Sequence, residues 1–167
     1  MRCWGGGMVK HTLAVLVENS PGVLSKVAGL FARRGYNIES LVVGETEDKT
    51  VSRITLVVEG DERVIEQVSK QLNKQVEVIK IQDITEEETV DRQMLLIKVS
   101  ADQAARQEIL QLMEIFRCRI IDIGRRSLII EATGEGGKIE AVIQSLRPFG
   151  IKELVRTGKV AMVRGAK

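Results

Sequence analysis

Two apolar periods alternate along the first half of the chain. Residues 13–17 form a continuous apolar run, typical of a buried strand, and a polar turn over residues 18–22 follows it. In residues 23–34 apolar side chains recur three and four positions apart, which predicts an amphipathic helix with one buried face. A second strand is predicted over residues 36–43. The predicted inward positions of the helix are Val23, Leu24, Val27, Leu30 and Phe31.

The next elements complete a recognisable order. A charged hairpin turn over residues 46–49 leads to a predicted strand at 51–59, a helix at 62–73 and a strand at 76–81. The apolar phase of the last strand slips between Val78 and Ile79, which indicates a bulge or burial on both faces. The order βαββαβ is that of the ferredoxin-like split motif, an antiparallel sheet with both helices on one face. The other face of such a sheet needs a cover.

The same order is predicted a second time. Residues 83–93 are polar and acidic without an apolar period, as in a linker. After them the pattern predicts strands and helices at residues 94–99, 103–116, 118–123, 127–133 and 137–146, with a final strand or hairpin within residues 151–163. The fold class is therefore α+β, with ferredoxin-like domains over residues 9–82 and 94–165.

The ends and the composition point to a soluble cytoplasmic protein. Residues 1–8 have no apolar segment of the kind found in a signal peptide, so we predict a flexible leader in which Met8 is an alternative start. No apolar run is long enough to span a membrane. Cys3 and Cys118 are the only cysteines, too few for a disulfide framework or a metal cluster.

The sequence offers no catalytic residues and no metal site. His11 is the only histidine and is expected at a strand edge, so no histidine-based nucleophile pair can form within the chain. The glycine-rich run at residues 134–137 lacks the lysine of a phosphate-binding loop. Binding of RNA to a ferredoxin-like sheet needs exposed aromatic side chains, and residues 51–59 contain none. Nucleic-acid binding is therefore the less favoured alternative.

The turn before the first helix has the chemistry of a small anion site. Ser20 is expected to cap the helix and Pro21 to be its first residue. The free backbone N–H groups at the helix start, beside Gly22, could donate hydrogen bonds to a carboxylate or a phosphate. Any strand–turn–helix unit needs similar residues, so these positions alone leave a purely structural role equally open.

A resemblance to a known family adds to this picture. Residues 19–41 (NSPGVLSKVAGLFARRGYNIESL) resemble the start of an ACT domain, a small ligand-binding module that regulates amino-acid metabolism. More narrowly, they resemble the small regulatory subunit of acetohydroxyacid synthase, also called acetolactate synthase. Residues 52–62, 64–78, 94–99 and 114–122 match that subunit in the same order. The resemblance covers residues 9–164, nearly the whole chain.

The resemblance implies a site that two chains share. ACT domains of this family pair into a continuous sheet, and the effector lies between the chains. Carried over residue by residue, the effector contacts Asn19 and Gly22 of one chain and Asn37 and Ile38 of its neighbour. The set of expected effector-binding residues is Asn19, Ser20, Pro21, Gly22, Val23, Leu24, Asn37 and Ile38. Pro21 stands where a small polar residue is expected in enteric-type members.

The resemblance also implies a function and its partners. The expected protein is a homodimeric, non-catalytic regulatory subunit that activates the large catalytic subunit and makes it sensitive to valine, isoleucine or leucine. Thiamine diphosphate, Mg and FAD are expected only in that catalytic subunit, and no cofactor is expected in this chain. Apart from RNA binding, the alternative is an ACT-domain amino-acid sensor that regulates another enzyme or a gene.

Overall fold

The computed structural model describes residues 9–165, so the predicted leader, with Cys3 and Met8, lies outside the described residues. The chain divides into two compact units. The first combines residues 9–90 with residues 161–165, and the second contains Asp91–Val160.

The first unit has the predicted βαββαβ order. Its elements are β1 (Val9–Glu18), α1 (Val23–Arg33), β2 (Ile38–Glu45), β3 (Val51–Gly60), α2 (Glu62–Asn73) and β4 (Val78–Asp83). They form an antiparallel sheet in the order β2-β3-β1-β4. Strands β2 and β4 are therefore its edges, and the turn between β1 and α1, where effector-binding residues are predicted, lies at one end of a central strand.

The core of the first unit lies between one face of this sheet and the two helices. Alternate residues of the central strands point into it because side chains on a strand alternate between faces. Every member of the cluster is apolar, and these are Leu13, Val15, Val17, Val23, Val27, Leu30, Phe31, Ile54, Leu56, Val58, Ile65, Val68 and Leu72. An apolar core with both helices on one face confirms the predicted layer arrangement.

Strand β4 contains the predicted bulge. Leu16 pairs with Lys80 and Val17 with Val78, which leaves Ile79 without a partner across the ladder. Ile79 is 55% exposed, so the slip in the apolar pattern reflects a bulge and not burial on both faces. The strand begins at Val78, two residues later than predicted, since the 90%-exposed Val76 lies in the preceding turn.

The open face of the first sheet is covered by two segments of chain. Ile84 and Ala161 are buried against Ala14 of β1. The Ile84 amide donates to the Thr12 carbonyl at 2.9 Å, and the Arg53 guanidinium donates to the Ala161 carbonyl at 2.8 Å. The segment predicted as a linker therefore starts as part of the first unit, because a single isoleucine in a polar run is enough to anchor it.

The second unit repeats the order. It contains the end of β5 (Thr89–Ser100), then α3 (Gln103–Ile115), β6 (Arg119–Ile123), β7 (Ser127–Gly134), α4 (Gly136–Leu146) and β8 (Ile151–Arg156). Its antiparallel sheet has the order β6-β7-β5-β8, and β9 (Val160–Val163) pairs with β5 outside that path. Strand β5 begins five residues before the predicted strand, and the final segment forms two strands.

We expect Ile84→Ala to destabilise the protein by about 2–5 kcal/mol, because Ile84 is 2% exposed and its loss leaves a cavity on the open face of the sheet. Urea unfolding followed by circular dichroism measures the change. The matched control, Val76→Ala, should alter the free energy of unfolding by less than about 0.5 kcal/mol. Equal, small effects of both substitutions would show that residues 84–88 do not pack on the sheet.

Candidate functional site

The turn between β1 and α1 closes before the helix begins. Gly22 has φ 83° and ψ −10°, and the Val23 amide donates to the Ser20 carbonyl at 3.4 Å. These values describe a type II turn, with Pro21 and Gly22 at its two central positions. The expectation that Ser20 caps the helix and Pro21 begins it is therefore wrong. Gly22 is the N-cap residue, and its positive φ is the reason that a glycine is required there.

Helix α1 begins without a side-chain acceptor for its first amides. Within residues 9–165 no acceptor contacts the backbone N–H of Leu24 or Ser25. Helices α2 and α3 each have one, since Asp61 accepts from the Val64 amide and Asp102 from the Ala105 amide. Helix α4 also lacks one. Unlike α4, helix α1 follows a glycine in the left-handed conformation, Gly22. A Cβ atom added to Gly22 would have no atom within 4 Å beyond its chain neighbours, so the space beside the start of α1 is open.

Asn19 ties this turn to the hairpin between β2 and β3. Its backbone amide donates to the Thr50 carbonyl at 2.7 Å. Its side-chain Nδ2 donates to Glu45 Oε1 at 3.2 Å and to the Lys49 carbonyl at 2.9 Å. Both side-chain N–H groups are thereby used within the chain. Asn19 Oδ1 receives no hydrogen bond from the described residues. This oxygen could therefore accept a hydrogen bond from a ligand.

The hairpin that receives Asn19 is ordered by its own polar contacts. Asp48 Oδ1 accepts from the Thr50 hydroxyl at 2.7 Å and from the Thr50 amide at 2.9 Å. These hydrogen bonds to the charged form lower the pKa of Asp48 below its usual value. Thr46 Oγ1 donates to the Val51 carbonyl at 3.1 Å. Glu45 and this hairpin are not among the predicted site residues, since a polar turn carries no apolar period that would mark its contacts.

The three apolar residues of the predicted set have different environments. Val23 is 4% exposed and belongs to the core, so its side chain cannot contact a ligand without a change in packing. Leu24 is 40% exposed in the first turn of α1. Ile38 is half-buried and packs against the edge of the core. Leu24 and Ile38 are thus the apolar side chains that remain available.

Asn37 and Ile38 lie at the opposite end of the sheet from the turn. Ile38 pairs with Val58, and Val58 pairs with His11 near the start of β1. The turn follows the other end of β1, where Asn19 contacts Glu45 at the end of β2. Seven residue steps along β2 separate Ile38 from Glu45, or about 23 Å at a strand rise of roughly 3.3 Å. One chain therefore does not bring the two halves of the predicted site together.

The described residues contain no group of three or more His, Cys, Asp and Glu side chains placed to hold a metal ion. His11 is 7% exposed in the central strand β1 and not at a sheet edge, and its Nδ1 lies 3.4 Å from Asp83 Oδ2. Burial raises the pKa of the Cys118 thiol, although Lys138 opposes the shift. No helix among the described residues is long and apolar enough to cross a membrane.

Comparison with known structures and families decides the identity. The fold is similar to the crystal structure of the acetolactate synthase small subunit from Thermotoga maritima. The TM-score is 0.87 at 48% sequence identity, over 96% of this chain and 100% of that one. Residues 13–80 match the family model of the AHAS small subunit-like ACT domain, and residues 92–165 match that of the small subunit of acetolactate synthase. The chain belongs to the acetolactate synthase small-subunit family.

Curated members of the acetolactate synthase small-subunit family extend the likeness over nearly the full chain. A probable acetolactate synthase small subunit from Archaeoglobus fulgidus is 60% identical over 95% of this chain and 99% of its own length. An acetolactate synthase small subunit from Mycobacterium leprae is 48% identical over 96% of this chain and 95% of its own length. The first unit is thus the ACT domain of this family, and its turn at residues 18–22 is the predicted effector turn.

Proposed function

We propose that the chain is the regulatory subunit of an acetolactate synthase in the cytoplasm and that a branched-chain amino acid binds to its ACT domain. Family membership supports the regulatory role. The uncapped start of α1 supports the proposal that the ligand is an amino acid, because the free N–H groups of Leu24 and Ser25 beside Gly22 can donate to its carboxylate. The catalytic residues and the cofactors, thiamine diphosphate, Mg and FAD, belong to the large subunit.

The site is completed by a second copy of the chain. The turn and the start of β2 are about 23 Å apart in one chain, judged from the strand rise, which is too far for one amino acid to span. Antiparallel pairing of two β2 strands would bring the two halves of the site together, since the start of one strand then lies beside the end of the other. Asn37 and Ile38 of the partner chain would come close to Asn19 and Gly22.

The free edge of the ACT sheet has the chemistry for that pairing. Strand β2 pairs only with β3 among the described residues. Leu41 and Val43 lie opposite the core residues Leu56 and Ile54, yet they are 36% and 44% exposed. An open strand edge with apolar side chains tends to associate with another strand. A dimer through β2 would bury these side chains and add backbone hydrogen bonds between the two strands.

The ligand contacts follow from what each group leaves unused. The carboxylate accepts from the amides at the start of α1, and the ammonium donates to Asn19 Oδ1, which has no donor within the described residues. The amide of Asn37 from the partner chain is the second neutral polar group. Leu24 and the partner chain's Ile38 present aliphatic surface to the side chain of valine, leucine or isoleucine. This arrangement recognises a zwitterion without a charged protein group.

Regulation then follows from linkage. An effector that binds one arrangement of the dimer more tightly shifts the holoenzyme toward that arrangement by its difference in affinity. If the effector changes the affinity of the chain for the catalytic subunit by some factor, the catalytic subunit changes the affinity of the chain for the effector by the same factor. The chain activates the catalytic subunit in the absence of effector, and the bound amino acid favours the inhibited arrangement.

Gly22→Asp should abolish most of the feedback inhibition. The new carboxylate lies beside the Leu24 and Ser25 amides, where it takes the place of the ligand carboxylate and repels it. We expect the valine concentration for half-inhibition of the reconstituted holoenzyme to rise at least about tenfold, equivalent to about 1.4 kcal/mol. Acetolactate production with purified catalytic subunit measures it, with and without the chain.

The control is Gly22→Ala, which imposes the same left-handed strain without a charge. It should remain closer to the native chain than Gly22→Asp. Native sensitivity to valine in the Gly22→Asp holoenzyme would remove the effector turn from the site, and failure of the native chain to activate the catalytic subunit would contradict the regulatory role.

Val43→Asp should convert the dimer to a monomer, because each new carboxylate would be buried against the partner's β2 strand without a compensating charge. Size-exclusion chromatography with light scattering gives the mass. Val76→Asp is the matched control, since Val76 is 90% exposed in the same unit and outside the sheet. A Val43→Asp chain that stays dimeric would show that the proposed interface is not the one that holds the copies together.

A further inference from the structure

A second concave surface lies on the open face of the ACT sheet. It is a cavity of about 560 Å³ beside the hairpin between β2 and β3, and we call it the hairpin cavity. Leu16 and Arg53 form part of it and pair with each other on the face opposite the helices. All of its lining residues belong to the first unit, including Met162 of the returning chain. The effector site proposed above does not use this surface.

Apolar side chains line one side of the hairpin cavity and are open to water. Met162 is 66% exposed and Ile79, the bulge residue of β4, is 55% exposed. Leu16 and Val51 are half-buried beside them. Large aliphatic side chains grouped around a concavity are typical of a protein contact, because burying them removes apolar area from water.

The rim of the hairpin cavity is acidic. Glu45, Glu47 and Asp48 line it, and Asp48 Oδ1 is held in place by hydrogen bonds from the Thr50 hydroxyl and amide. The lining has one cation, Arg53, whose Nη2 is already engaged by the Ala161 carbonyl at 2.8 Å. Three carboxylates against one guanidinium favour an occupant that carries positive charge.

Glu45 connects this cavity to the effector turn. Its carboxylate lines the cavity and also accepts the hydrogen bond from Asn19 Nδ2 at 3.2 Å. The same Asn19 side chain holds the hairpin through the Lys49 carbonyl at 2.9 Å. A molecule bound at the turn and a molecule bound in the cavity would therefore each lie beside one partner of this hydrogen bond.

We propose that the hairpin cavity is the docking site for a segment of the catalytic subunit that combines an aliphatic side chain with a lysine or arginine. The aliphatic group packs between Ile79 and Met162, and the cation pairs with the acidic rim at Glu47 and Asp48. This inference rests on the proposed regulatory function. The hydrogen bond between Asn19 and Glu45 would then couple effector binding at the turn to binding of the catalytic subunit in the cavity.

The test compares binding of the purified catalytic subunit to three variants of the full chain by biolayer interferometry. Ile79→Asp/Met162→Asp removes the apolar wall, and Glu47→Lys reverses a rim charge. Each should weaken binding at least about tenfold, the first because it places two carboxylates in the apolar contact and the second because it sets like charges against each other. Val76→Asp, exposed but outside the cavity, should stay within about twofold of the native chain. Calorimetric binding of L-valine by each variant shows that the effector site is intact.

Binding within about twofold of native for both cavity variants would overturn the proposal. A native chain that does not bind the catalytic subunit would overturn the proposed function as well, which is a different result. Light scattering adds a third readout. If the double variant changes the mass of the chain alone, a second copy occupies the cavity and the proposal is wrong.

Discussion

The first turn of α1 presents two backbone N–H groups that the described chain does not satisfy. A capping side chain typically contributes about 1 kcal/mol to a helix, and both α2 and α3 obtain it from an aspartate. In α1 the left-handed Gly22 occupies that position with no side chain at all. Its φ of 83° turns the chain into the helix and leaves the approach to the Leu24 and Ser25 amides open. In the proposed site, the ligand carboxylate takes the place of the missing capping side chain.

A cap alone is worth too little to account for specific binding of a small amino acid. The remaining affinity has to come from the ammonium, the aliphatic side chain and the ordering of the site before the ligand arrives. Asn19 contributes to the last of these, because three hydrogen bonds to the hairpin fix the turn from the outside. In the proposed site, the groups that complete it lie at the far end of β2. Under this proposal, binding of the effector requires the dimer.

Much of this architecture is predictable from the sequence, and the failures have physical reasons. Apolar periods locate the four α-helices and the antiparallel strands of the described residues, and the phase slip at Ile79 corresponds to a bulge, one of its two predicted causes. The apolar period predicts the start of α1 at Val23, where it is observed, whereas Ser20 and Pro21 predict a start two residues earlier because they suit a cap as well as they suit a type II turn. The burial of Ile84 had no periodic signal, since a single residue makes the contact.

The candidate site divides in the same way. Resemblance and turn chemistry point to Asn19 and Gly22, and the structure gives both a defined geometry. The assignment of Val23 to the ligand slot conflicts with its place in the core, which a helical period alone cannot distinguish from an exposed neighbour. The sequence does not place Glu45 in the site, because its hydrogen bond with Asn19 forms only when the hairpin between β2 and β3 packs beside the turn. Whether Asn37 and Ile38 complete the site stays a prediction.

Isothermal titration of the purified chain with L-valine, L-leucine and L-isoleucine tests the central claim most directly, with D-valine and L-glutamate as controls. Two identical sites at the β2 interface of a dimer predict saturable binding of the aliphatic L-amino acids at one per chain. The controls should bind weakly, since D-valine misplaces the side chain and glutamate brings a second carboxylate. Equal binding of D-valine and L-valine, or no heat with any aliphatic amino acid, would contradict a preformed effector site at the start of α1.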